Sequence, residues 1–215
     1  LNGKYYGSWY QKNGKKNYTS RIGRINTKLS GNGTSSDFSK DSKGKAAFGI
    51  TSYIKDDQLA LGIRENVNEG KSSHLERYVS VCSVKNTKKG KAKYKLEKKI
   101  FKLKKNKKFS TSQCMEQSNG KFYLVRFNKK EGKDNNCIEV INKNGNKEKQ
   151  YIIKNPKRIS IYSNDGKKEI FKFRKIKWEI ESLAHYKKKT FYYTMYKPSD
   201  DNVGKQAYLY KVKLK

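Results

Sequence analysis

The sequence predicts an all-β fold, a β-propeller built from four-stranded antiparallel blades. Three observations predict it. Aromatic and β-branched residues alternate with polar ones in short runs, the signature of half-buried strands. Turn signals separate those runs. The run and turn unit recurs along the chain, as it does when supersecondary repeats bury one another's faces.

The closing unit shows the pattern best. Lys177–Tyr186 places Trp178, Ile180, Ser182 and Ala184 on one side of a strand. After the turn Lys187–Lys189, Phe191, Tyr193 and Met195 share a side, and beyond a polar loop so do Tyr208, Tyr210, Val212 and Leu214. At the start, Gly3–Tyr10 and Tyr18–Ile25 form a partial unit over residues 1–28, with the strand before Lys4 missing. Leu29–Lys45 is rich in Ser, Gly, Asp and Lys and reads as a connector. A full blade, about 46–101, has strands at Ala46–Ile54, Gln58–Arg64, Arg77–Val84 and Lys93–Phe101. The next, about 112–154, has Ser112–Gln117 and Lys121–Phe127 joined at Asn119-Gly120, then Cys137–Ile141 and Glu148–Ile153. Asn-Gly suits a two-residue hairpin because both turn positions take positive φ. Residues 157–175 form a two-stranded insert or reduced unit, and the last blade spans 177–214.

Second strands begin near Lys4, Gln58, Lys121 and Thr190, at spacings of about 54, 63 and 69 residues. Residues 1–215 therefore read as one propeller domain of four to five blades, the first incomplete. An open β-sandwich or stacked meander is the alternative. In the propeller reading, the long connections 11–17, 65–76, 128–136 and 197–206 emerge on one face, where recognition usually sits.

Hydrophobic residues make up 33%, below the roughly 45–50% of ordinary domains. The 16 Tyr, 9 Phe and 2 Trp restore the missing core area. The regular strand pattern argues against disorder in this Lys- and Asn-rich chain. Lys plus Arg number 52 against 19 acids, a net charge of +33 that no fold requires and that attracts polyanions. Nucleic acid, cell-wall polymer, sulfated glycan and an anionic membrane surface all qualify, as does plain compositional drift. The sequence leaves the oligomeric state open. Cys82, Cys114 and Cys137 are too few and too irregular for a disulfide framework or zinc site, so each reads as a small buried hydrophobe, with a Cys114–Cys137 bridge as an alternative that spacing does not support. No apolar run is long enough to cross a membrane as a helix. A start at Leu1 suggests a processed product or fragment whose leader has been removed.

Candidate chemistry is sparse. His185 ends a first strand, the strand that lines a propeller's channel, and shares it with Glu179 and Glu181 as a weak acid/base set. His74 lies in a polar stretch and reads as solvated. No metal motif, phosphate-binding glycine loop or nucleophile elbow is present, so neither a metal nor a cofactor is expected. Gly62 and the other strand glycines read as marks of close packing or bulges. Basic runs at Lys85–Lys95, Lys102–Lys108 and Lys187–Lys189 carry the candidate binding residues Lys104, Lys105, Lys107, Lys108, Lys187, Lys188 and Lys189, with Trp9 in the first aromatic strand. Aromatics among such lysines suit sugars or bases, although a solvated charged face is the commoner meaning.

Gly3–Tyr10 with Ser20–Ile25, Ala46–Ile54 with Gln58–Arg64, and Glu179–Ser182 with Phe191–Tyr196 and Tyr208–Val212 together resemble the helveticin-J-like large bacteriocins of lactobacilli. The resemblance implies a secreted, five-bladed β-propeller of a Gram-positive bacterium, acting against related bacteria or at the cell surface. It carries no catalytic residues over to this chain. The expectation is a non-catalytic binder of an anionic bacterial surface polymer. The alternatives are a nucleic-acid- or glycan-binding scaffold and a propeller lyase or hydrolase.

Overall fold

The computed structural model describes residues 5–13, 17–25, 34–37, 45–52, 58–69, 72–86, 92–109, 111–128, 136–154, 158–162, 168–172, 179–197 and 206–215. Among these the regular structure is entirely β, in sixteen strands. The first sheet holds β1 (Tyr5–Asn13), β2 (Asn17–Ile25) and β3 (Thr34–Asp37). The second holds β4 (Lys45–Ser52), β5 (Gln58–Glu69), β6 (Ser72–Asn86) and β7 (Ala92–Lys102). The third holds β8 (Thr111–Ser118), β9 (Lys121–Phe127), β10 (Asn136–Asn142) and β11 (Lys147–Ile153). A hairpin of β12 (Arg158–Tyr162) and β13 (Lys168–Lys172) follows, then a last sheet of β14 (Glu179–Lys187), β15 (Thr190–Lys197) and β16 (Gln206–Lys213). Every pairing is antiparallel between consecutive strands, so each sheet is a meander that needs only hairpin connections.

Local chemistry sets the turns. Asn119 (φ 51°) and Gly120 (φ 71°) join β8 to β9 with Ser118 opposite Lys121, the two-residue hairpin that the Asn-Gly pair predicts. Between β10 and β11 the Asn142 side chain accepts hydrogen bonds from the backbone N–H groups of Asn144 and Asn146, both at 3.0 Å. Short polar side chains of this kind mimic a backbone turn.

Three sequence expectations change. The connector 29–45 contains β3, which pairs with β2 and extends the partial unit beyond residue 28. The expected loop 65–76 is instead a ribbon, with Asn66 opposite Leu75 and Val67 opposite His74. Backbone pairing does not need apolar side chains, so a polar stretch concealed a strand extension, and His74 sits on β6. In β14, Ile180 is buried, but Ser182 and Ala184 are exposed and Leu183 takes the inward place. The ladder shifts register between Ile180 and Ser182, and one bulged residue exchanges the two faces beyond it. Trp178 and Tyr208 lie outside the residues whose side chains are described.

The sheets lie in sequence order. One face of β4–β7 carries Ala47, Leu59, Leu61, Ile63 and Tyr78, and β1–β3 pass alongside β4 and β7. The opposite face packs Phe48, Ala60, Val79 and Phe101 against Met115, Phe122, Leu124 and Ile141 of the third sheet. The third sheet's far face packs Cys114, Val125 and Ile138 against Ile180, Leu183, Phe191 and Met195 of the last. The first strands β4, β8 and β14 run beside one another at the common seam. No closed barrel or ring is seen among the described residues.

The seam is close. A Cβ added to Gly49 on β4 would lie 2.9 Å from the Met115 backbone nitrogen on β8. One added to Gly62 would lie 2.5 Å from the Phe48 ring, so these strand glycines do mark close packing. Gly49→Ala is expected to cost about 1–3 kcal/mol through overpacking, and to speed amide exchange in both β4 and β8. Unchanged denaturation and exchange would refute the close seam.

Candidate anion-binding surface

The strongest candidate surface is the segment joining β7 to β8. Lys104, Lys105, Lys107 and Lys108 are all exposed there, on backbone that belongs to no strand. A buried polar frame nevertheless holds that backbone. Leu103 N–H donates to the Arg77 carbonyl at 2.8 Å. Arg126 Nη2 donates to the Lys104 carbonyl at 2.9 Å, while Arg126 Nε donates to Glu139. Asn106 Nδ2 donates to the other Glu139 oxygen at 2.6 Å. Asn106 Oδ1 accepts from the N–H groups of Lys108 and Phe109 at 3.0 and 2.9 Å. Phe109, fully buried, anchors the far end.

The Arg126 and Glu139 side chains are only 3% and 4% exposed. Such a pair is tolerated in the interior when further hydrogen bonds satisfy both partners, as Asn106 and the Lys104 carbonyl do here. Its physical effect is to fix the position from which four cations project. Lysines on a fixed base lose less backbone entropy on binding than lysines on a free loop.

The second basic run, Lys187–Lys189, forms the β14–β15 turn, with Lys188 at φ 50°. It carries an aromatic neighbour. Lys187 Nζ lies 5.1 Å from the Tyr186 ring centre, and Tyr186 meets Tyr192 edge-on at 5.5 Å. In the third run, Lys85 and Lys95 are exposed, and residues 87–91 lie outside the described set. Trp9 stands on β1 opposite Arg21, with its side chain outside the described set. Residues 129–135 and 198–205, which hold most of two expected recognition loops, also lie outside it.

Glu179, Glu181 and His185 all lie on β14; the two carboxyl groups share a hydrogen bond, but His185 stands apart from them. Glu179 accepts a hydrogen bond from Gln113 Nε2 of β8. Burial, then the neighbouring Glu179, pushes the Glu181 carboxyl above its ordinary value, although the residue as a whole is exposed. His185 lies four residues further along, roughly 13 Å of strand. There its Nε2 is 2.8 Å from the Lys188 carbonyl and its ring stands edge-on to Phe191 at 5.1 Å.

The residue that does face His185 is Glu116 on β8, which sequence reading missed. Burial pushes its carboxyl up to about 7, against the opposing pull of the Gln117 N–H, His185 and the Thr51 hydroxyl. The available signal was period two: Glu116 follows Cys114 on the face turned to β14, while Met115 faces the second sheet. Its partners lie far off in sequence, so no local motif marks it.

Cys82, Cys114 and Cys137 are free and buried, as expected of small hydrophobes. Burial pushes the thiols of Cys82 and Cys137 up to about 12, and that of Cys114 well above its usual value. No group of His, Cys, Asp and Glu among the described residues could hold a metal ion. No family model, curated protein or solved structure matches the chain.

Breaking the buried frame by Glu139→Gln is expected to cost about 3–5 kcal/mol in chemical denaturation, because Arg126 is left buried and unpaired. Proteolysis should then cut within residues 103–109 first. For Glu116, the folded carboxyl keeps its proton to about pH 7, while the unfolded one loses it near 4.5. Between those values the folded state binds more protons, so this group makes stability fall as pH rises. Glu116→Gln should match the wild type at pH 4 and melt higher at pH 8. Parallel curves across that range would contradict the burial of this carboxyl.

Proposed function

We propose that the chain is a secreted, bacteriocin-like β-propeller that binds an anionic bacterial surface polymer and performs no chemistry on it. One observation carries the reading: four exposed lysines project from backbone held by the buried Arg126–Glu139 pair and half-buried Asn106. A solvated charged face needs no such frame, whereas a repeating polyanion gains from cations already in place. The net charge of +33 supplies long-range attraction and fast encounter. Sequential meanders sharing a seam of first strands support the propeller. The separation of His185 from Glu179 and Glu181 favours binding over lyase or hydrolase chemistry.

The test is binding to purified teichoic acid and to DNA of equal charge across a salt titration. Teichoic acid should retain affinity at 200 mM salt, where pure counterion release has removed the DNA. Replacing Lys104, Lys105, Lys107 and Lys108 by Gln should lower the slope of log K against log salt by about 3 while leaving the melting temperature unchanged. Equal loss of both ligands with salt would overturn the reading, as would a quadruple variant that binds like the parent.

A further inference from the structure

The cations of this chain are very unequal in kind. Lys and Arg together number 52, yet only seven are arginines. Three of those seven, Arg64, Arg77 and Arg126, meet at one end of the core between the second and third sheets. Strand alternation brings them there. Arg64 continues the face of Ala60 and Gly62 on β5, Arg77 that of Val79 on β6, and Arg126 that of Phe122 and Leu124 on β9. Arg64 and Arg77 are direct cross-strand partners. Arg126 lies opposite Ser112 of β8, and Arg64 Nη2 donates to the Ser112 carbonyl.

Some polar groups at this junction lack partners. Arg64 Nε, Arg77 Nε and the Ser112 hydroxyl are each buried without a hydrogen-bond partner, and Ser112 is 0% exposed. Buried polar atoms almost always find partners, so three unpaired groups at one junction need an explanation. The charges are unbalanced as well. Like charges directly opposite in a sheet repel, and burial, Arg64 and Arg126 all lower the pKa of Arg77. The nearby acids are committed elsewhere. Glu139 serves Arg126 and Asn106. Glu65 serves Tyr78 and Lys45, and Glu76 serves Lys99 and Lys102. Glu181 feels the charge of Arg64, and its carboxyl shares a hydrogen bond with Glu179. Among the described residues, no carboxylate forms an ion pair with Arg64 or Arg77.

We propose that Arg64, Arg77 and Ser112 form a binding site for a tetrahedral oxyanion, a phosphate group. Guanidinium forks hold their donors in a fixed plane that suits such a group, whereas a lysine's three ammonium donors rotate as a point charge. Arg64 and Arg77 are only half-buried, although the three unpaired atoms themselves are shielded from solvent. The site adjoins the lysine segment, because the Arg77 carbonyl receives Leu103 N–H and Arg126 Nη2 binds the Lys104 carbonyl. Resting on the polymer reading above, one phosphodiester of a surface polymer occupies the arginine site while its neighbours along the strand meet the lysines. The same donors accept free inorganic phosphate.

The test compares inorganic phosphate with chloride at equal ionic strength, using melting temperature and phosphorus NMR. Phosphate should raise the melting temperature well beyond chloride and broaden the phosphorus signal. Arg77→Leu should fold, and melt in chloride at or above the wild type because a repulsion is removed. It should lose the phosphate shift, and Arg77→Lys should lose most of it. The quadruple Gln variant of the lysine segment should keep the shift, so the site can be read even if no polymer binds. Loss of teichoic acid affinity in Arg77→Leu, with binding to a phosphate-free polyuronate retained, identifies the polymer phosphodiester as the ligand. Loss of the phosphate shift alone identifies free phosphate. A phosphate effect no larger than that of chloride, or an equal effect in Arg77→Leu, overturns the site.

Discussion

Phe122, Leu124 and Ile141 cover one face of the third sheet, and Val125 and Ile138 the other. This two-sided burial is the constraint on which the remainder depends. A free antiparallel sheet can leave one face wet, but these central strands have apolar side chains on both faces. The second sheet must therefore lie on one side of the third and the last sheet on the other. The close approach of β4, β8 and β14 follows from that stacking. With a hydrophobic fraction of only 33%, the chain concentrates its large apolar groups between sheets and leaves the edges to lysine. Lysine at an edge also discourages pairing with other chains.

The same stacking decides where charge is tolerated. At the end of the core between the second and third sheets, alternation runs out of apolar residues and delivers arginines and Glu139 instead. Arg126 and Glu139 neutralise each other and hold the connecting segment. Arg64 and Arg77, brought together by strand register, form no such ion pair among the described residues. One sheet junction thus produces two different environments: a satisfied ion pair that organises backbone, and a pair of cations with donors to spare. Elsewhere on the second sheet, Glu65 and Glu76 each meet two lysines, an arrangement suited to a solvated face. The contrast lies in burial and partner supply, because the residue types are similar.

Much of the framework was legible before any coordinates. Asn119-Gly120 announced its hairpin because its backbone preference is local. Phe191, Tyr193 and Met195 announced the inward face of β15 because an unbroken strand alternates strictly, and all three are buried. The bulge in β14 was not legible, since its position depends on how β14 pairs with β15. The ribbon in residues 65–76 was concealed by polar composition, which is silent about backbone pairing. The basic runs were visible as charge, but nothing in Lys102–Lys108 indicated that Glu139 would hold it.

By itself the sequence determined that the chain is made of antiparallel strands, where most of them lie, and that its surface is strongly cationic. These properties reside in neighbouring residues and in composition. Tertiary structure alone decided which charges are buried, which are paired and which face one another. Arg64 and Ser112, like Glu116 and His185, are separated by dozens of residues, and only sheet packing brings them together. Burial and partner supply, the two quantities that govern what a charged group can do, are properties of that packing.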